Sequence, residues 1–291
     1  MAFDSIAAML RAAREQGLSL REILCQSDSA ESGLSPEASL SQMKELWAVM
    51  LDTSEHYCPA DRSNSGLIGG DAQKVHDAAQ AGRLLGGPYL QEVIEEALKT
   101  AECNACMKRI VAAPTAGSCG VLPAVLIPLY RSQAATEEQI LDGLYIAAGF
   151  GQVTAARASL SGAEGGCQAE VGTASAMAAA ALVSVSGGSG DQCATAFAIA
   201  LGNLLGLVCD PVAGLVEVPC VKRNVIGAVN AISAANLALA GVTSHIPADE
   251  VIDAMGDIGD KMPPDLRETG IGGLAATPTA QKITKSLHLK W

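Results

Sequence analysis

The 291-residue chain predicts a mainly α-helical fold, a single all-helical domain whose helices are joined by Gly-rich loops. Helix-start signals recur, convincing alternating strands are nearly absent, and aromatic residues, which favour strands, make up only 3% of the chain. The segment up to Arg14 reads as the start of an amphipathic helix. Ser19-Leu-Arg-Glu22 and Thr136-Glu-Glu-Gln139 match the capping box, in which a hydroxyl and a carboxylate or amide satisfy free helix amides reciprocally. Ser35-Pro36 places proline at a first helical position, ahead of a segment running to about Thr53. Between Pro88 and Lys99, Leu90, Val93, Ile94 and Leu98 fall at helical spacing, and Pro247 opens a further such segment through about Ile258.

A net charge of −12 excludes a nucleic-acid partner, whose phosphates require basic patches. No basic stretch precedes an apolar run at the start, so no secretory leader is expected, and the nine cysteines read as reduced thiols or metal ligands in the cytoplasm. Residues 171–185 and 194–209 are rich in small apolar side chains but fall short of the ~18–20 residues a membrane span needs. Ser, Thr and Asn203 interrupt them, and Gly187, Gly188 and Gly190 separate them. Closely packed buried helices, not a membrane partner, are the expectation. One domain spans 1–291, the alternative being a mobile or partner-facing helical extension over about the first sixty residues.

The chemistry points to the Gly-rich loops SNSGLIGGD (63–71), APTAGSCG (113–120), LSGAEGGCQ (160–168) and ETGIGGLAATPT (268–279), because glycine lets backbone amides approach a ligand. Cys167, Cys209 and Cys220 lie in EGGCQAEVG, LVCDPVAG and VEVPCVKRN, each with a carboxylate close by. Any one of them alone reads as a small buried hydrophobe. Together, an odd number of thiols suits neither a disulfide framework nor a closed zinc site, whereas three thiolates suit a cubane iron–sulfur cluster with one open iron. Asp210-Pro211 after Cys209 and Pro219 before Cys220 suggest that both thiols sit where a helix is broken, leaving amides free to bond sulfur. Cys103-Asn-Ala-Cys106 is a CxxC, but it has no second CxxC and no βαβ context, and it reads as packing. A pyridoxal phosphate site is not expected, since Lys74, past the first loop, falls on a helical surface. His56, His76, His245 and His288 are too scattered for a metal site; His56, just before the first loop, is the catalytic candidate, with a plain surface role as its alternative.

Taken together, SNSGLIGGD, AAPTAGSCGVLPAVL, EGGCQAEVGTASAMAAAAL, LGLVCDPVAGLVEVPCVKRN and RETGIGGLA resemble the alpha chain of the iron–sulfur-dependent L-serine dehydratase (L-serine ammonia-lyase) family, over most of the chain. The resemblance implies that Cys167, Cys209 and Cys220 ligate a [4Fe–4S] cluster in a largely helical catalytic domain. It further implies a lyase that acts on L-serine in amino-acid degradation and pairs with a separate beta chain. In that reading the substrate's hydroxyl and carboxylate bind the open iron, a base takes the Cα proton, water leaves, and the product hydrolyses to pyruvate and ammonia. Single-chain members carry a beta-like N-terminal domain and can end in a cysteine near the cluster, whereas this sequence starts in the alpha region and ends HLKW.

Beyond the cysteines, Ser63, Ser65 and the amides around Gly66 are candidates to hold the substrate carboxylate, as is Thr115 with Ser118. Arg223 is a candidate to neutralise cluster or substrate charge, its alternative being a surface ion pair. Glu164 and Glu170 flank Cys167 and could orient groups there or cap helices. The base is unassigned, coming from His56 or from the beta chain. Two readings compete: a related cluster enzyme acting on cysteine or another small amino acid, and a non-catalytic helical subunit.

Overall fold

The computed structural model describes residues 3–287. Its elements follow from local chemistry. Ser5 caps α1 (Ile6–Gln16), and the expected capping box at Ser19 and Glu22 opens α2 (Leu20–Ser32). Ser35 caps α3 (Pro36–Glu55), with proline in its first turn as the sequence implied. Then come α4 (Asp71–Gln80) and α5 (Pro88–Ala105), the latter extending through Cys103 with Cys106 as its C-cap. α6 (Val121–Arg131) leads to α7 (Glu137–Arg157), which the second capping box starts at Thr136 and Gln139. A single turn, α8 (Gly162–Gly165), and a π-helical stretch over Gln168–Gly172 precede α9 (Thr173–Val185) and α10 (Gly190–Gly202). The chain finishes with α11 (Cys220–Leu239), α12 (Ala248–Lys261) and α13 (Pro278–Ser286). Among the described residues the β structure is an isolated parallel bridge between Cys209 and Arg267.

The Ala-rich α9 is the axis of the fold. Every residue in it except Ser184 is buried, and it packs on α7, α10 and α11. Small side chains make this possible. A Cβ added at Gly143 of α7 would lie 2.9 Å from Val185 of α9, and one at Gly227 of α11 would lie 3.0 Å from Val121 of α6 and from Val171 in the turn before α9, so glycine lets these segments approach closely. Ser175 donates to the Gly227 carbonyl at 2.7 Å, and Asn230 donates to Ser175 at 2.9 Å and to the Ala200 carbonyl at 2.8 Å, tying α9, α10 and α11 together at their polar points. No helix among the described residues is long and apolar enough to cross a membrane.

The first three helices bury Ile6, Met9, Leu24, Trp47 and Met50 in the same core as α9. Asp249 of α12 accepts from the Ile6 and Ala7 amides at 2.8 and 3.0 Å, holding the N-terminus of α1. Opposite, α4 begins at Gly70 without a cap of its own. Glu102 of α5, 1% exposed, supplies one, accepting from the amides of Gly70 (3.0 Å), Asp71 (2.8 Å) and Ala72 (3.3 Å) and from the Tyr57 hydroxyl (2.6 Å). This carboxylate anchors the end of the 63–71 loop.

Glu102→Ala leaves those buried amides unpaired and is expected to destabilise the protein by about 2–4 kcal/mol, with Glu102→Gln costing less, as read by urea unfolding. A Cβ at Gly149 of α7 would stand 2.2 Å from Leu24 of α2. Gly149→Val is therefore expected to lift α2 from α7 and to increase cleavage near residues 20–35 in limited proteolysis.

Candidate functional site

Where α9 begins, the chain is pinned by a fully buried side chain. Gln168 accepts from the Gly206 amide at 2.8 Å and donates to the Met255 carbonyl at 3.0 Å, while its own amide donates to the Leu207 carbonyl at 2.9 Å. These bonds join the π-helical turn to the 204–210 loop and to α12, and they set Cys167 against Cys209. A π-helical turn in such a place is a frequent mark of a functional segment. Gly166, at φ 75°, brings the chain into this turn in the left-handed region, where a Cβ would also meet Met262 at 2.7 Å.

Cys209 is not at a broken helix, as its proline neighbours suggested. It is extended and bridged to the 266–268 segment, its amide donating to the Leu266 carbonyl at 2.9 Å and its carbonyl accepting from the Glu268 amide at 2.7 Å. Cys220 does begin a helix, as the first residue of α11. Asn224, one turn on, donates to the Cys220 carbonyl at 3.0 Å and to the Gly117 carbonyl at 2.9 Å, and accepts from the Gly120 amide at 2.8 Å. The 113–120 loop is thereby fixed to the thiol-bearing helix.

The three thiols, all buried and free, face one another. The Cys209 thiol and the Arg223 guanidinium both stand against the Cys167 sulfur and hold its thiol below the ordinary range. Cys209 is pushed up by that same contact and by burial, and burial pushes Cys220 up to about 12. Arg223 is 9% exposed and no surface ion pair: it donates to Asp210 at 2.7 Å and to the Val208 carbonyl at 2.7 Å. The other oxygen of Asp210 accepts from the Leu274 amide at 2.7 Å, which ties the 268–279 loop to the site. Val171, Leu204 and Leu207 form an apolar wall around Cys167 and Cys209.

Glu170 is half-buried beside Thr115, and burial pushes its carboxyl up. Thr115 and Ser118 close on each other with their hydroxyls 3.1 Å apart. Ser63 and Ser65 converge on Glu217, Ser63 Oγ donating to it at 3.1 Å and Ser65 Oγ donating to the same carboxylate oxygen, while the Gly66 amide turns back to the Ser63 carbonyl at 2.9 Å. Glu164 is exposed.

The structure does not bring His56 to the cysteines. It ends α3 with a side chain 76% exposed, and its Nδ1 lies 2.9 Å from Asp52 of the same helix. His76 bonds Glu95 at 3.0 Å, His245 is exposed, and His288 and the rest of the HLKW end lie outside the described residues. Lys74 pairs with Asp71 at 2.7 Å on the surface of α4. Cys103 is buried with its thiol pushed up to about 12, chiefly by burial, and with Cys106 it borders a small cavity lined also by Cys58, Asp61 and Glu102. Sequence reasoning assigned no role to Asp210, Glu217, Gln168 or Asn224. Their signal was position, since Asp210 and Glu217 are the carboxylates of the thiol-bearing segments.

Among the described residues no three His, Cys, Asp or Glu side chains are placed to hold a single metal ion. Three thiols on separate segments are a set that a cubane could use, because it distributes its thiolates over different irons. Glycine keeps room beside it: a Cβ at Gly162 would come 3.1 Å from the Cys209 sulfur and 2.7 Å from Glu170, and one at Gly117 would come 3.4 Å from Glu170. Three free thiols, a buried guanidinium and this glycine-lined margin fit an iron–sulfur cluster.

Comparison with known proteins places the chain in a family. A probable L-serine dehydratase alpha chain of Bacillus subtilis (strain 168) is 47% identical over 285 residues, which cover 98% of this chain and 95% of that one. The L-serine dehydratase alpha chain of Peptoniphilus asaccharolyticus is 42% identical over 272 residues, 93% of each chain. L-serine dehydratase 1 of Escherichia coli (strain K12) is 36% identical over 284 residues, covering 94% of this chain and 61% of its own longer one. The family described as serine dehydratase alpha chain matches residues 15–275. On these matches the chain belongs to the serine dehydratase alpha chain family.

Proposed function

We propose that this chain is the alpha subunit of an L-serine dehydratase, a lyase that converts L-serine to pyruvate and ammonia in the cytoplasm together with a separate beta chain. The observation that carries this reading is the meeting of Cys167, Cys209 and Cys220, from three separate segments, around one buried arginine, in a chain whose near-full-length relatives bear that name. Cys167, Cys209 and Cys220 would hold a [4Fe–4S] cluster, which when bound supplies a Lewis acid for the loss of a hydroxyl group.

The chain's own residues account for the rest. Arg223 offsets the negative charge of the thiolates, and Asp210 with the Val208 carbonyl fixes its direction so that it cannot swing to solvent. Val171, Leu204 and Leu207 exclude water from the back of the site, which strengthens every electrostatic contact made there. Asn224 and Gln168 hold the 113–120 loop and the Cys167 turn at fixed positions. The half-buried Glu170, beside Thr115 and Gly117, is the carboxyl next to the cysteines that would meet the substrate.

Purified without oxygen as an αβ pair, the protein is expected to be brown, to contain about four irons and to release pyruvate from L-serine. A colourless, iron-free and inactive pair would overturn the proposal. Cys167→Ala, Cys209→Ala and Cys220→Ala are each expected to lose the iron and the visible absorbance, whereas Cys103→Ala and Cys106→Ala keep both. Gly162→Ala, which crowds the Cys209 sulfur, is expected to lower iron content several-fold with the far-ultraviolet helix signal unchanged. Rates with L-serine, L-threonine and L-cysteine decide between hydroxyl and thiol elimination.

A further inference from the structure

Glu217 is a buried carboxylate, 7% exposed, and no cation pairs with it among the described residues. The basic residues that follow it are engaged elsewhere, Lys222 with Asp71 at 3.7 Å and Arg223 with Asp210 at 2.7 Å. Burying a carboxylate without a counter-charge is costly, so an unpaired one at a candidate site calls for a positive group.

The serine hydroxyls that meet it sharpen the choice. A hydroxyl has one proton to give. Ser63 Oγ donates to Glu217 and accepts from the Ile68 amide at 3.2 Å, and Ser65 Oγ donates to Glu217 and accepts from the Leu67 amide at 3.0 Å. The Gly66 amide is taken by the Ser63 carbonyl. The two hydroxyls also lie 3.1 Å from each other. Their protons and most of their lone pairs are therefore engaged, no donor is left for a carboxylate, and what the cluster presents is the negative charge of Glu217. A primary ammonium, with three donors and no acceptor, is the complementary group. The carboxylate is also in the right place. Ser65 is half-buried, Val216 beside Glu217 is 39% exposed, and a Cβ at Gly117 would lie 3.5 Å from Val216 and 3.4 Å from Glu170, so the segment that carries Glu217 runs past Gly117 to the neighbourhood of Glu170.

We infer that Glu217, with Ser63 and Ser65, receives the ammonium group of the amino-acid substrate. This rests on the reading of the site as one for amino acids, and it reverses the carboxylate role that the sequence alone assigned to Ser63, Ser65 and Gly66. It also gives the site a reason to reject hydroxy acids that differ from the substrate only in lacking the amine.

The test is titration calorimetry of the anaerobic αβ holoenzyme with L-alanine, which carries no hydroxyl to eliminate, with propionate, which lacks the ammonium, and with ethylamine, which lacks the carboxylate. L-Alanine is expected to bind at least about tenfold more tightly than propionate, the loss typical of a charged hydrogen bond. Glu217→Gln should weaken L-alanine and ethylamine about tenfold and leave propionate within twofold, with KM for L-serine rising in parallel. Ser65→Ala should move both amines in the same direction by less. The wild-type comparison needs no variant, so a Glu217→Gln protein that fails to fold leaves the test in place. Equal binding of L-alanine and propionate, no binding of L-alanine, or a propionate loss in Glu217→Gln as large as the alanine loss would each overturn the ammonium site. Ammonium-dependent binding without pyruvate release from L-serine supports the site and instead removes the dehydratase reading.

Discussion

The ion pair between Arg223 and Asp210 is the constraint on which the site depends. It is buried on both sides, and its members reach outward to different segments: Arg223 to the Val208 carbonyl and the Cys167 sulfur, Asp210 to the Leu274 amide. A buried pair of this kind contributes little net stability, since desolvation offsets most of its attraction, but removing one partner strands the other at a cost of about 3–5 kcal/mol. Its value here is positional. One contact fixes the first turn of α11, the 208–211 segment and the 268–279 loop relative to the π-helical turn that carries Cys167.

Around this pair, polar side chains perform a task that the helical bundle cannot. The bundle centred on α9 is held by small apolar residues in close approach, which is non-directional and tolerant of sliding. Hydrogen bonds are directional: Gln168, Asn224 and Glu102 each tie two or more segments together, and Glu217 gathers the serines of the 63–71 loop. The result is a divided labour in which burial supplies the stability and a few buried amides and carboxylates supply the geometry.

The fold was largely legible in the sequence because its signals are local. The capping boxes at Ser19 and Thr136 and the proline at Pro36 act within one helical turn, and all three elements start where those residues place them. The site was legible as far as its residues share a segment. Cys167, Cys209 and Cys220 were singled out by their loops, and the thiols do converge. What the sequence hid is pairing across long separations. Ser65 and Glu217 are 152 residues apart, and Asp210 and Leu274 are 64 apart, so neither spacing nor periodicity marks them. The direction of the serine hydroxyls was hidden for the same reason, because it is set by a carboxylate from another loop. The environment of Cys209 was misjudged because proline neighbours suit an extended bridge as well as a helix end.

The bridge between Cys209 and Arg267, with the Leu274 contact to Asp210, has a consequence for biosynthesis. A ribosome delivers the chain from its N-terminus, and the bundle through α11 can begin to pack before residues 265–276 have emerged. During that interval Cys167, Cys209 and Cys220 are already synthesised but lack the strand-like cover that the later segment provides. The 265–276 segment is thus among the last parts of the site to be made, and the bridge it lays along Cys209 can form only after all three thiols have been synthesised.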